Sequence, residues 1–400
     1  MKPMQKVSII GGGFSGIQTA LELARKTKAA DLEITLISDR DHFEYYPALH
    51  TYLSVKGPVP YLSVLLSDIF DKTRVKITVD KVVSCDLSTK TITTESGQII
   101  TSDYIVLAIG SQPVFFNIQG LDTMAFPYQD VDQAKKLRSH IDVLFDKHCA
   151  SEKITAECVV GLHFVVVGAG PNGVDLAGEL ATLTKDLCRK KNFPESAVTI
   201  DIIEGASGVL PMMPKTVQDI ATKRLRKLGV NVLCNRQLQK QGNWTITLAD
   251  MTLGAKTLIW TAGTTGNELV TKIPNIVLQK KNKVTVNGNL EIDQYTDCFV
   301  AGDIADTQFS GLAQTAIHNG NYIAQVIHNR LRGKETAAYV PKPVAYNIGV
   351  GHGWSITKVG NVVISGKLSS ILRKIIDLKY FISILPFSKV WLLNPFAKRK

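Results

Sequence analysis

The chain has 400 residues, 45% hydrophobic and 20% charged. That balance excludes a disordered or fibrous polypeptide and suffices for two or three domains with buried cores. Its net charge of +11 is placed unevenly, and its six cysteines (Cys85, Cys149, Cys158, Cys188, Cys234 and Cys298) show no C-x-x-C or metal-ligand spacing, which argues for free thiols in a reducing compartment and against disulfides or a metal site.

The N-terminus enters a strand pattern by about residue 6, with no secretory h-region before it. The apolar run KVSII (6–10) leads directly into Gly11-x-Gly13-x-x-Gly16. Behind it Ile17, Ala20, Leu21 and Ala24 fall on one helical face, and ITLIS (34–38) returns as a second strand. This strand–glycine turn–helix–strand order is the context in which the motif binds a dinucleotide. Gly11 permits the tight turn, Gly13 the close approach of backbone N–H groups to a pyrophosphate, and Gly16 the packing of helix on strand. The helix N-terminus adds partial positive charge. After the returning strand, Ser38-Asp39-Arg40 leaves two candidates for the ribose-binding position, Ser38 and Asp39.

Residues 104–113, YIVLAIGSQP, read as a strand ending at Gly110, with Pro113 as the exit from a first domain. A second fingerprint then follows HFVVV (163–167): Gly168-x-Gly170-x-x-Gly173, with Val174, Ala177, Leu180 and Ala181 on one helical face and VTIDII (198–203) as the returning strand. Glu204 follows it, placed to accept from a ribose 2′-hydroxyl and to repel a 2′-phosphate, so NADH is expected over NADPH. LIWTAG (258–263) ends at Gly263. CFVAGDIAD (298–306) ends in Gly302-Asp303, where the acid suits either a ribityl chain or a helix N-cap. The expected fold class is α/β, with two Rossmann-like domains, the second inserted in the first. Residues 1–113 and 289–335 form the first domain, 114–288 the second, and 336–400 a C-terminal region.

That region holds eight cations against the single acid Asp377 over residues 361–400. Leu368, Ile371, Leu372, Ile375 and Ile376 form an apolar helical stripe, with Ser369, Ser370, Arg373, Lys374 and Asp377 opposite. Phe381, Ile382, Ile384, Leu385, Phe387, Val390, Trp391, Leu392, Leu393 and Phe396 follow, interrupted by Pro386 and Lys389, and no run reaches spanning length. Residues 367–397 therefore read as an amphipathic segment lying in a membrane interface. Packing against the protein's own core or a second subunit is the other use of such a helix. Nucleic acid is not the expected partner, because apolar and aromatic residues accompany the cations and no nucleic-acid-binding motif is present.

The segments VSIIGGGFSG, YIVLAIGSQP, VVVGAGPNGVDLAGELA, LIWTAG and CFVAGDIAD together resemble the flavoprotein oxidoreductases with two dinucleotide-binding domains. Within them the chain is most similar to the type II NADH:quinone oxidoreductases, and to their apoptosis-inducing-factor-like relatives. DHFEYYPALHTYLS (41–54) has no C-x4-C pair, so a thiol relay is excluded, and AQTAIHNG (313–320) resembles the family's A-Q-x-A-x-Q-Q-G motif. His318 and Asn319 replace its two glutamines, and Asp175 stands where a glutamate is usual.

The resemblance implies FAD and NADH as cofactors, hydride transfer from nicotinamide C4 to flavin N5, and reduction of a quinone without proton pumping. The first three glycines, Ser38, Asp39, Arg40, Pro47, Val83, Ala108, Gly110, Gly302, Asp303, Ala313 and Gln314 would surround the flavin nucleotide. Gly168, Gly170, Gly173, Asp175, Glu204 and Gly263 would hold NADH. Pro47, Gln314 and His318 mark the quinone face, and Asp175, Gln314 and His318 are the catalytic candidates; His318 is either a proton donor or structural. A peripheral location on the cytoplasmic face of an inner or plasma membrane, and a homodimer, are further implications. The alternatives are a soluble NAD(P)H-dependent reductase of a protein acceptor such as ferredoxin, or a signalling flavoprotein.

Overall fold

Short apolar runs assemble into two largely parallel sheets in the computed structural model, which describes residues 3–54, 59–150 and 154–390. The first half supplies β1 (Gln5–Ile10), α1 (Phe14–Lys26), β2 (Leu32–Ser38), β3 (Lys76–Val79) and β4 (Tyr104–Leu107). Next come β5 (Phe126–Pro127), α2 (Val131–His148), β6 (His163–Val167), α3 (Pro171–Lys190), β7 (Thr199–Ile203), α4 (Lys215–Lys227), β8 (Val230–Leu233) and β9 (Thr257–Trp260). The chain then forms β10 (Glu291–Ile292), β11 (Tyr295–Val300) and α5 (Ala313–Leu331).

The first sheet has the order β10-β11-β4-β1-β2-β3, parallel except for the edge strand β10. The second has the order β5-β9-β6-β7-β8 and is parallel throughout. Strands covered on both faces lose the polar alternation of a half-exposed sheet, and β4 and β9 are buried at every residue. After β9 the chain returns to the first sheet, where β11 pairs with β4 in the register Cys298↔Ile105. Ser111–Pro113 pairs antiparallel with Thr264–Gly266 and ties the outgoing and returning connections together. The strand expected to end at Gly110 ends at Leu107, and after Gly110, which takes a positive φ, Ser111–Pro113 forms that separate short strand.

Helices α1 and α5 cross closely at Gly320, where a Cβ would lie 2.7 Å from the Ser15 carbonyl oxygen. This crossing sets the N-terminal ends of both helices beside the ends of β1 and β11.

The C-terminal part is a small antiparallel sheet, β12 (Tyr346–Gly349), β13 (Ser355–Val359) and β14 (Val362–Gly366), followed by α6 (Lys367–Ile384) and α7 (Phe387–Val390). α6 packs on the protein's own core by one face and leaves the other exposed. Its polar side is packed inward: Ser369 and Asp377 are buried and Arg373 is largely covered. Its apolar stripe faces out, with Leu368 67% exposed and Ile371 and Ile375 each 50%. Four residues grouped with that outward stretch are corrected: Phe381, Ile384, Leu385 and Val390 are buried in the main core. Phe381 and Tyr380 join Phe14, Phe43 and Tyr45 in a ring cluster with centroid spacings of 4.9–6.4 Å. At about 0.5–1.5 kcal/mol per pair beyond area burial, this cluster holds α6 to the start of α1. Trp391, Leu392, Leu393 and Phe396 lie outside the described residues. Among the described residues, no helix is long and apolar enough to cross a membrane.

Candidate nucleotide and acceptor site

Both glycine loops have the same build. Gly11 and Gly168 take φ values of +115° and +102° as the chain turns out of β1 and β6. A Cβ on Gly16 would lie 1.9 Å from the Gly11 carbonyl oxygen, and one on Gly173 would lie 1.8 Å from that of Gly168. By contrast, a Cβ on Gly13 or Gly170 meets nothing within 4 Å. These middle glycines are the N-caps of α1 and α3, and neither cap makes a side-chain hydrogen bond to the helix. Open space over uncapped helix N-termini fits a diphosphate, which brings the negative charge those ends attract.

The residues behind the loops differ. Glu204 directly follows β7 and accepts from the backbone N–H of Ala169 (2.8 Å), inside the glycine loop, and of Ala206 (3.0 Å). Two carboxylate oxygens offer about four acceptor sites, so capacity remains for a ribose hydroxyl. Behind the first loop the structure separates the two candidates. Ser38 is buried, and a Cβ on Gly12 would sit 2.7 Å from its Oγ, whereas Asp39 is exposed. Arg40 bonds Glu44 at 2.8 Å. Val83 lies on the strand Val82–Asp86 of a separate three-stranded meander and is 40% exposed. Ala108 follows β4, and its carbonyl oxygen would lie 2.3 Å from a Cβ on Gly11. Gly263 takes a positive φ just beyond β9.

The tip of β11 is organised by Asn319, one of the two residues that replace the glutamines of the family motif. Asn319 is fully buried on α5, and its Oδ1 accepts from the Gly302 N–H at 3.1 Å. Asp303 does not act as an N-cap: its carboxylate accepts from the Ser111 hydroxyl at 2.9 Å. Ala313 and Gln314 open α5. His318, one turn further on, is half-buried, its Nδ1 has no hydrogen-bond partner among the described residues, and burial beside Lys342 holds it below its usual range. Buried Thr315 Oγ1 on this helix likewise has no hydrogen-bond partner among the described residues. Such orphaned polar atoms are the kind that a bound group or water satisfies.

Asp175, expected close to the nicotinamide–flavin contact, is buried in an ion-pair network that the sequence did not reveal. Its carboxylate lies 2.9 Å from Arg373 of α6 and 3.2 Å from His50 Nδ1. Arg373 also donates to the Pro47 carbonyl oxygen. Asp377, one turn along α6, accepts from the Tyr45 hydroxyl at 2.7 Å. Burial pushes both the Asp175 and Asp377 carboxyls up, and Arg373 opposes that rise. Glu179, one turn beyond Asp175, accepts from Ser54. The 45–54 segment, α3 and α6 therefore meet around one guanidinium. All six cysteines are free thiols. Burial raises Cys85 and Cys298 to about 12 and Cys188 to about 11, far from the range of a nucleophilic thiolate.

The chain matches the family model for pyridine nucleotide-disulphide oxidoreductases over residues 5–320. A curated relative from Staphylococcus saprophyticus, a type II NADH:quinone oxidoreductase, is 28% identical over 388 residues, covering 93% of this chain and 94% of the relative. A type II NADH:quinone oxidoreductase of Staphylococcus aureus is 28% identical over 394 residues, with the same shares covered. Among solved structures, NDH2 of Plasmodium falciparum in complex with NADH is similar with a TM-score of 0.86 at 19% identity, covering 98% of this chain and 100% of that one. The sulfide:quinone oxidoreductase of Aquifex aeolicus is similar with a TM-score of 0.79 at 20% identity, covering 98% and 96%. These two likenesses establish the fold.

Proposed function

The chain belongs to the pyridine nucleotide-disulphide oxidoreductase family, and from that premise we propose that it is a peripheral membrane NADH:quinone oxidoreductase that uses FAD and does not pump protons. One observation carries the reading: a single chain holds two glycine-loop nucleotide sites, on two parallel sheets, with no cysteine in the 41–54 segment to serve a thiol acceptor. Full-length relatives named type II NADH:quinone oxidoreductases support the choice of acceptor.

A bound FAD supplies the two-electron chemistry, taking a hydride from NADH and passing electrons to quinone. The residues bind, orient and exclude water. Gly13 and the α1 N-terminus would admit the FAD diphosphate, with Asp303 reserved for hydroxyls of the ribityl chain. Gly170, the α3 N-terminus and Glu204 would bind NADH, and Glu204 would reject a 2′-phosphate by charge. Gln314 and His318 of α5, together with Pro47 of the 45–54 segment, would line the quinone face. The half-buried, neutral imidazole of His318 would exchange a proton there. Leu368, Ile371, Ile375, Ile376, Ile382 and Phe387 face outward and would rest in the cytoplasmic interface of the membrane, each contributing roughly 1.5–3 kcal/mol when buried.

Anaerobic stopped-flow absorbance tests the assignment. NADH is expected to bleach the flavin band, and a short-chain quinone to restore it. Bleaching without recovery by any quinone would shift the acceptor to a protein. No bleaching would end the dehydrogenase reading.

A further inference from the structure

We propose that a cleft between the C-terminal end of α1, the 69–74 loop and the end of α6 binds the phosphate headgroup of an anionic phospholipid. The proposal builds on the membrane reading above and adds to it a discrete lipid site, separate from the nucleotide loops and the quinone face. The cleft has a volume of about 460 Å³. Its floor is apolar, built by the buried side chains of Leu21, Ile69, Ile384 and Leu385. Its rim carries Arg25, Lys72 and Arg74 against one acid, Asp71.

The charges on that rim are not equally spoken for. Asp71 lies 3.8 Å from Lys389, a cation outside the cleft lining. Arg25 pairs with Glu22 at 2.8 Å and donates to the Ser383 carbonyl oxygen at 3.0 Å, which fixes α6 across the cleft. The Arg74 guanidinium donates to the backbone oxygens of Leu23, Thr27 and Leu32, and no carboxylate lies within ion-pair distance of it among the described residues. It meets the partial negative charge at the end of α1, roughly half a charge, with a full positive one. Lys72 is exposed, held in a left-handed backbone conformation (φ +61°), and makes no ion pair among the described residues. The cleft therefore presents surplus positive charge directly above an apolar floor.

A phosphate attached to a diacylglycerol matches that layout: anion on the rim, first methylenes on the floor. The mouth supports the same occupant. Ile382, on the lining, is 52% exposed, and Phe387, just beyond it, is 87% exposed. The cleft thus opens along the edge of the outward apolar face, where headgroups lie when that face rests in a bilayer. A free inorganic phosphate would use the rim alone and gain nothing from the floor.

The test uses the full-length flavin-loaded protein. Flotation is measured with phosphatidylcholine vesicles, with and without phosphatidylglycerol. Calorimetric titration is run with dihexanoyl-phosphatidylglycerol and, separately, with inorganic phosphate. The expected result is saturable binding of the short-chain lipid, weaker binding of phosphate, and a loss of about tenfold in phosphatidylglycerol affinity for Lys72→Glu. Arg25→Glu should follow it. Lys281→Glu, an equal charge change on an exposed turn, should alter affinity less than twofold. Equal effects of the three substitutions would overturn the site in favour of diffuse surface attraction, and phosphate binding as tightly as the lipid would overturn the lipid as occupant. Failure to float with either vesicle would instead defeat the membrane reading itself. Flotation with both, unmoved by Lys72→Glu, would defeat only this site. Unchanged flavin absorbance in each variant establishes that it is folded.

Discussion

The guanidinium of Arg373 lies 2.9 Å from the carboxylate of Asp175, 198 residues earlier in the chain. The contact joins the C-terminal helix to the helix that follows the second glycine loop. Removing one partner of a buried pair costs about 3–5 kcal/mol, because the other is left charged without compensation. Arg373→Met should therefore destabilise the protein by about that amount, read from urea midpoints, whereas Arg373→Met with Asp175→Asn should recover part of the loss.

The same cluster predicts a pH dependence. The folded pKa values of Asp175 and Asp377 are raised above the ordinary 3.8 by burial, so protonation favours the folded state. Stability from these groups is complete below about pH 3.8 and falls as pH rises through their folded values. Arg373 limits that fall. In Arg373→Met the decline should deepen and extend to higher pH, and adding Asp175→Asn should flatten it. A urea series from about pH 4 to pH 8 distinguishes the variants; identical slopes would show that the pair is not the titrating element.

Glycine substitutions should separate packing from binding. Gly16→Ala and Gly173→Ala force a Cβ against a backbone oxygen at 1.9 and 1.8 Å, and overpacking of this kind costs about 1–3 kcal/mol. Gly170→Ala meets no protein atom within 4 Å, so its thermal midpoint should stay unchanged while its affinity for NADH falls at least about tenfold. Unaltered NADH affinity would remove the diphosphate from that loop.

Glu204→Ala should weaken NADH binding and reduce the preference over NADPH, each by roughly tenfold, from the lost hydrogen bond and lost repulsion. Steady-state KM values for both nucleotides check this. A preference left intact would assign Glu204 solely to holding Ala169.

Asn319→Leu leaves the Gly302 N–H buried without an acceptor, at a cost of about 1–3 kcal/mol. The expected consequence is weaker flavin retention, measured by the absorbance ratio of the flavin band to protein after gel filtration. Full retention would limit Asn319 to packing.

Much of this molecule was legible in the chain itself. The periodicity behind each glycine loop placed α1 and α3, and the apolar runs before and after them placed β1, β2, β6 and β7. The spacing of the three glycines has a local cause, since each must admit a turn, a ligand or a helix within six residues. Glu204 was legible for the same reason, being the first residue after a returning strand. The contact between Asp303 and Ser111 was not: Ser111 lies on the other connection between the two sheets, and no local pattern joins them.

What the sequence determined alone was therefore set within single βαβ units, where backbone sterics and side-chain period act over a few residues. Tertiary structure decided which side of α6 turns inward. An amphipathic pattern says only that two faces differ, and here the buried face is the polar one, because Arg373 and Asp377 find Asp175, His50 and Tyr45 to satisfy them. That choice frees the apolar stripe to face outward, and it depends on carboxylates, a hydroxyl and a carbonyl brought together from segments hundreds of residues apart.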